Sequence, residues 1–143
     1  MSISEIAKDY MYISDYLVAN DEKFLTNLGI THIINCAKEI PNYHEDKFTY
    51  LNLNLCDNDE DILKCQQVVL DFIDKAINGK ILIHCAAGIS RSAAITIMYL
   101  MEKLHLCYNH TVPYIKEKRR FINPNQYYVK QLTESKLSCS QCY

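Results

Sequence analysis

The stretch Lys80-Ile-Leu-Ile-His84 runs directly into Cys85-Ala-Ala-Gly-Ile-Ser90, and then into apolar residues at helical spacing as far as Leu104. A short strand that is apolar on both faces belongs inside a parallel sheet, where helices cover both sides. A helix following at once is the return limb of a parallel connection. This strand, loop and helix fix an α/β architecture, and the other segments must fit around it. Tyr10 to Val18 is aromatic-rich and predicts one or two short edge strands, and Asp21 to Leu28 predicts a helix closed by Gly29. Thr31 to Cys36 and Tyr50 to Leu55 read as strands. From Asp61 the residues Ile62, Leu63, Val68, Val69, Phe72, Ile73 and Ile77 predict one long amphipathic helix ending near Asn78-Gly79. Helices are also expected from about His110 to Arg119 and from Pro124 to Glu134, with Pro113 and Pro124 in first turns. The expectation is one domain over residues 1–143, with a mostly parallel sheet of four to five strands flanked by helices. Residues 135–143 are expected to form a flexible tail.

At 143 residues there is room for one domain, and 49% hydrophobic residues with three Gly and three Pro exclude collagen-like and disordered classes. Fifteen basic against seventeen acidic side chains leave a formal charge of −2, so no global field draws in nucleic acid or an anionic membrane. Any anion must be held by a local site. Apolar runs fall far short of the ~20 residues that span a bilayer. Seven scattered cysteines, behind a polar N-terminus unlike a secretory signal, predict a reducing cytoplasmic or nuclear setting. Oligomeric state leaves no signature in the sequence.

The loop after His84 has the spacing Cys, five residues, Arg. So short a link between strand and helix must curl with successive N–H groups pointing inward, making an anion nest completed by the helix N-terminus. The backbone of Ala86, Ala87, Gly88, Ile89 and Ser90 is the expected phosphate cradle. Gly88 supplies the backbone freedom, and Arg91 can reach two phosphate oxygens through its planar fork. Cys85 at the floor of such a nest is expected to be a thiolate at neutral pH, because N–H groups, helix dipole and guanidinium all favour the charged form. These features predict phosphoryl transfer onto Cys85 through a cysteinyl-phosphate, a scheme that requires no metal and no cofactor.

His84 to Ser92 resembles the signature loop of the cysteine-dependent protein tyrosine phosphatases, His-Cys-x-x-Gly-x-x-Arg-Ser. Tyr99-Leu-Met101 and Phe121-Ile-Asn-Pro-Asn125 look like the dual-specificity, H1-like branch, and the likeness runs from about Ser14 to Leu132. The resemblance implies a phosphatase-like fold and a protein phosphatase acting on phosphotyrosine and on phosphoserine or phosphothreonine of phosphorylated protein substrates. It implies that Asp57, just after a strand, is the general acid, although Asp59, Glu60 and Asp61 crowd the same loop; Asp61 reads more simply as a helix N-cap. It implies that Ser92 hydrogen-bonds the departing thiolate and that His84 is a buried histidine orienting the loop. Arg120 is similar to an arginine that holds a second phosphate, while the plainer reading of Lys116, Lys118, Arg119 and Arg120 is a solvated helix end. A lipid or RNA phosphatase of the same superfamily would place Lys or His inside the loop, where this chain has uncharged residues. A phospho-binding pseudophosphatase would lack the cysteine, the arginine or the acid, and all three are present.

Cys36, Cys56, Cys65 and Cys107 read as core or half-buried residues, with Cys56 placed where it could trap an oxidised Cys85. Cys139 and Cys142 have the spacing of a redox or metal clip, but as a single pair in a polar tail they read as structurally idle.

Overall fold

The computed structural model describes residues 2–135. Five strands, β1 (Ile3–Ala7), β2 (Met11–Ser14), β3 (His32–Ala37), β4 (Thr49–Leu55) and β5 (Ile81–His84), form one sheet in the order β1-β2-β5-β3-β4. β1 runs antiparallel to β2, and the other four strands are mutually parallel. Among the described residues the α-helices are α1 (Tyr16–Ala19), α2 (Glu22–Leu28), α3 (Gln66–Lys75), α4 (Arg91–Leu104), α5 (Tyr108–Lys116) and α6 (Gln126–Glu134).

Alternation along the strands sorts the core into two layers. Ile13, Ile34, Ile81 and Ile83 face the layer with α3 to α6, together with Val69, Ile73, Ile97, Ile115 and Leu132. Tyr12, Ile33 and Leu82 face the layer with α1 and α2, together with Val18, Leu25 and Phe48. β5 is buried on both faces, as its uninterrupted apolar run requires. Its carboxyl end lies level with those of its neighbours, since His84 registers with Ser14 on one side and Asn35 on the other. The segments leaving β2, β3, β4 and β5 therefore emerge at one end of the sheet, where open α/β folds bind ligands. Among the described residues no helix is long and apolar enough to cross a membrane.

Several elements depart from the sequence expectation. β1 lacks alternation, exists through pairing with β2, and is reached by a turn with Asp9 at φ 56°. The expected edge strand stops at Ser14, because the Asp15 carboxylate accepts the Val18 N–H and turns the chain into α1. The long helix expected from Asp61 begins instead as a 3-10 turn at Leu63–Cys65 and ends at Ala76, leaving Ile77 largely in solvent. Asp61 accepts the Leu63 N–H, and the Ile62 N–H goes to Gln131 Oε1, so the chain there is still a loop. α5 begins two residues early, which puts Pro113 in its interior, where it has no N–H to offer the carbonyl of Asn109, a residue exposed to solvent. Pro124 precedes α6, because Asn125 is the N-cap and accepts the Tyr128 N–H.

Candidate active site

Five consecutive carbonyls of the loop after β5 are held by groups outside it. The Cys85 carbonyl accepts from His84 Nδ1 at 3.2 Å, and Ala86 from the Tyr16 N–H at 2.9 Å. Ala87 accepts from Arg119 Nη2 at 3.4 Å, Gly88 from Arg119 Nε at 2.8 Å, and Ile89 from the Asn123 N–H at 2.8 Å. Each trans peptide is planar, so a carbonyl held outward sends the next residue's N–H inward. The N–H groups of residues 86 to 90 thus converge, and the Gly88 N–H lies 3.3 Å from Cys85 Sγ. Gly88 is required twice: its φ is 71°, and a Cβ there would lie 2.5 Å from Arg119 Nη2 and 2.7 Å from the Ser14 carbonyl.

Cys85 is 2% exposed, at the floor of the nest, with Ser92 Oγ 3.2 Å from its sulfur. α4 starts at Arg91 and adds the positive end of a 14-residue helix. The Ser90 hydroxyl does not cap α4; it donates to Asp57 Oδ1 at 2.6 Å. Arg91 is almost fully buried, and three of its five N–H donors are engaged. Nη1 donates to Glu39 Oε1 at 2.6 Å and to the Leu55 carbonyl at 2.9 Å, and Nη2 donates to Glu39 Oε2 at 2.5 Å. The Nε–H and the second Nη2–H remain, and they lie along one edge of the guanidinium with the parallel geometry that fits two phosphate oxygens. The pairing raises the Arg91 pKa above its ordinary value and holds the Glu39 carboxyl at about 2, chiefly through their shared hydrogen bonds.

Asp57 follows β4 in a left-handed conformation, φ 63°, and its Oδ1 also accepts Asn125 Nδ2 at 2.9 Å. Glu60 organises this loop from within. Its carboxylate accepts the N–H groups of Cys56, Asp57 and Asn58 at 2.8, 2.9 and 3.2 Å and takes a short hydrogen bond from the Tyr128 hydroxyl. Burial alone would raise the Glu60 pKa, but these donors outweigh it and hold the carboxyl below its usual range. Burial and the facing Glu60 carboxylate push the Tyr128 hydroxyl up. Gln131 Nε2 holds the Glu60 carbonyl at 2.8 Å.

A cavity of about 360 Å³ joins Asp57, Cys85 and Arg91 with Ala86, Ala87, Ile89 and Ser90, and Asn123 and Asn125 complete its wall. Gly88 lies behind the loop surface, against Arg119. His84 is buried, and burial lowers its pKa to about 4, so the neutral ring donates Nδ1–H to the Cys85 carbonyl. Arg120 is exposed and does not line the cavity; its neighbour Arg119, read from sequence as part of a solvated helix end, is buried beneath the loop. Cys36 and Cys65 are buried, and burial raises both thiols. Cys56, expected to be core or half-buried, is exposed just beyond the end of β4 at Leu55, and Cys107 is half-buried. Cys139 and Cys142 lie outside the described residues.

Sequence reasoning missed Glu39, Glu60, Tyr128 and Arg119. Glu39 carried one usable signal: it is a carboxylate two residues beyond β3, at the sheet end where Asp57 and Cys85 emerge. Buried Asn35 folds that segment back through Nδ2 bonds to the Ile40 carbonyl and Asn42 Oδ1. Tyr128 and Arg119 meet their partners only through contacts distant in sequence, whereas Glu60 turns back on N–H groups two to four positions before it and is pinned from afar by Tyr128 and Gln131.

Comparison with known proteins agrees with this geometry. The family described as "Dual specificity phosphatase, catalytic domain" matches residues 11–137. A probable rhodanese domain-containing dual specificity protein phosphatase of Dictyostelium discoideum is 39% identical over 92% of this chain and 28% of its own length. Dual specificity protein phosphatase 1 of Homo sapiens is 33% identical over 93% of this chain and 38% of its own length. The chain thus spans well under half the length of these curated relatives. Among solved structures, the human tyrosine phosphatase-like serine/threonine/tyrosine-interacting protein superposes with a TM-score of 0.84 at 37% identity, covering 92% of this chain and 93% of that one. The match to the family description covers β2 to β5 and every element around the cavity, and the chain belongs to the dual specificity phosphatase catalytic-domain family.

Proposed function

We propose that this chain hydrolyses phosphate monoesters on proteins, both phosphotyrosine and phosphoserine or phosphothreonine, in two steps through Cys85. The observation that carries the reading is the inward fan of N–H groups centred above a buried cysteine sulfur, with the free edge of Arg91 and the Asp57 carboxyl on the same opening. In the first step Cys85 Sγ, as thiolate, attacks phosphorus while the bond to the leaving oxygen breaks. Asp57 gives that oxygen its proton. The fan and Arg91 hold the equatorial oxygens as charge shifts between them. In the second step Asp57 takes a proton from the attacking water, the phosphorus–sulfur bond breaks, and the Ser92 hydroxyl donates to the departing thiolate. His84 holds the Cys85 carbonyl outward throughout.

Dual specificity is supported by the absence of any aromatic side chain among the described residues lining the cavity, since clasping a phenyl ring alone calls for tall walls. Protein substrates are favoured over phosphoinositide or RNA because Ala86, Ala87, Ile89 and Ser90 carry no charge for further phosphates. Exposed Arg120 lies outside the cavity and is proposed to meet a second phosphate on the substrate. Since the nucleophile must stay reduced, the reading carries a cytoplasmic or nuclear setting.

Hydrolysis of para-nitrophenyl phosphate in the presence of chelator, lost in Cys85→Ser while tungstate binding persists, tests the proposal. The likeness to a phosphatase-like interacting protein supports a second reading, a phosphate-binding module without turnover. Tungstate binding with no hydrolysis in the wild type would select that reading.

A further inference from the structure

Arg119 is 1% exposed, and burial lowers its pKa, yet among the described residues no carboxylate is within ion-pairing distance of it. Its hydrogen bonds go to neutral oxygens: Gly88 C=O at 2.8 Å from Nε, Ala87 C=O at 3.4 Å and Ser2 Oγ at 2.8 Å from Nη2, and Ser4 Oγ at 3.0 Å from Nη1. Phe121 stacks on it at 4.5 Å. A buried charge without a counter-ion is costly unless an anion faces it in the working state. The nearest groups of opposite sign act through space only: Asp15 on the β2–α1 side, and the Cys85 sulfur when ionised.

We propose that Arg119 is a positioning residue of the phosphate cradle, holding the Ala87 and Gly88 carbonyls so that the Gly88 and Ile89 N–H groups aim at a bound phosphate. The inference rests on the phosphate-binding part of the reading above, and it adds a source of cradle geometry outside the loop. Peptide planarity carries the argument, since one guanidinium fixes two successive peptide planes and hence two of the five converging donors. Its other end grips Ser2 and Ser4 and so ties the cradle to β1, an edge strand that lines no part of the cavity. Anion affinity is therefore coupled to the docking of the N-terminal strand. The missing Cβ of Gly88 belongs to the same device, because it lets the guanidinium approach.

The test compares wild type, Arg119→Lys and Arg119→Met by calorimetric titration with tungstate, after thermal unfolding has shown each variant folded. Methionine fills the same apolar path, so a space-filling role would leave the affinity unchanged. The expected result is a loss of about tenfold or more in Arg119→Met and a smaller loss in Arg119→Lys, whose point charge cannot grip two carbonyls at once. Tungstate should also shift the Gly88 and Ile89 amide proton resonances in the wild type and do so much less in Arg119→Met. Equal tungstate affinity in folded Arg119→Met and wild type overturns the proposal. If Arg119→Met does not fold, Ser2→Ala/Ser4→Ala carries the test: a several-fold weaker affinity supports it, and unchanged affinity overturns it. A wild type that binds tungstate without hydrolysing esters overturns the catalytic reading while leaving this one standing, and a wild type that binds none overturns the phosphate-binding reading itself.

Discussion

The Arg91 guanidinium meets the Glu39 carboxylate end-on through two hydrogen bonds of 2.6 and 2.5 Å, although the residues are 52 positions apart. The pair fixes which edge of the arginine is left for substrate. Glu39→Gln keeps one acceptor and loses the fork, so kcat/KM for an aryl phosphate should fall by about tenfold. Arg91→Lys should fall by about 10² or more, because an ammonium cannot present two parallel donors. Steady-state kinetics on both variants check this, and a Glu39→Gln enzyme with wild-type kcat/KM would remove Glu39 from the account. The depressed Glu39 pKa gives the sign with pH: the contribution of the pair is fully present above about 4.5 and is lost as pH falls through about 2.

Asp57→Asn should slow hydrolysis of an alkyl phosphate ester by about 10² to 10⁴ and that of an activated aryl phosphate much less, because only a poor leaving group needs its oxygen protonated. The alkaline limb of the rate profile should flatten in the same variant. If Asp59→Asn shows this pattern and Asp57→Asn does not, the acid is misassigned.

Tyr128→Phe removes one donor from the Glu60 carboxylate and should cost about 1 kcal/mol of stability by urea unfolding. Its effect on rate should depend on leaving group as that of Asp57→Asn does, at about two- to tenfold. A uniform loss across leaving groups would make the bond structural only.

His84 gives a stability prediction. The unfolded imidazole protonates below about 6.5 and the folded one only below about 4, so the unfolded state takes up the proton first as pH falls. Stability from this group is complete above 6.5, declines between 6.5 and 4 by about 3 kcal/mol, and declines no further below that. His84→Asn keeps a donor for the Cys85 carbonyl and should flatten this part of the curve by close to one proton. Unfolding curves at intervals from pH 7 to pH 4 check it.

The loop after β5 is legible because its parts are contiguous: an apolar strand, a nest-forming turn and a helix start within twelve residues or so of one another. Asp57 was legible one step further out, since strand alternation from Tyr50 to Leu55 located the sheet end from which it emerges. Legibility failed where a polar side chain turns inward to satisfy backbone groups, of its own loop for Glu60 and of a distant one for Arg119. Glu60 read as one of several loop acids, and Arg119 as surface charge, because nothing local distinguishes a buried guanidinium from a solvated one. β1 was missed for a related reason, since its order comes from pairing with β2 rather than from its own pattern.

The loop bearing Asp57 is tied to α6 at both of its margins, by Asn125 on the side of the cavity and by Tyr128 and Gln131 behind. Opening such an anchored loop would mean breaking these bonds, so the proposed reaction draws on a general acid already held at the cavity rather than on one brought in by closure. An enzyme that closes over its substrate can refuse a poor one after capture, by failing to close. This architecture forgoes that second inspection. On the proposed function, discrimination among phosphoproteins would be exercised during encounter, by what the rim lets approach and how long it stays.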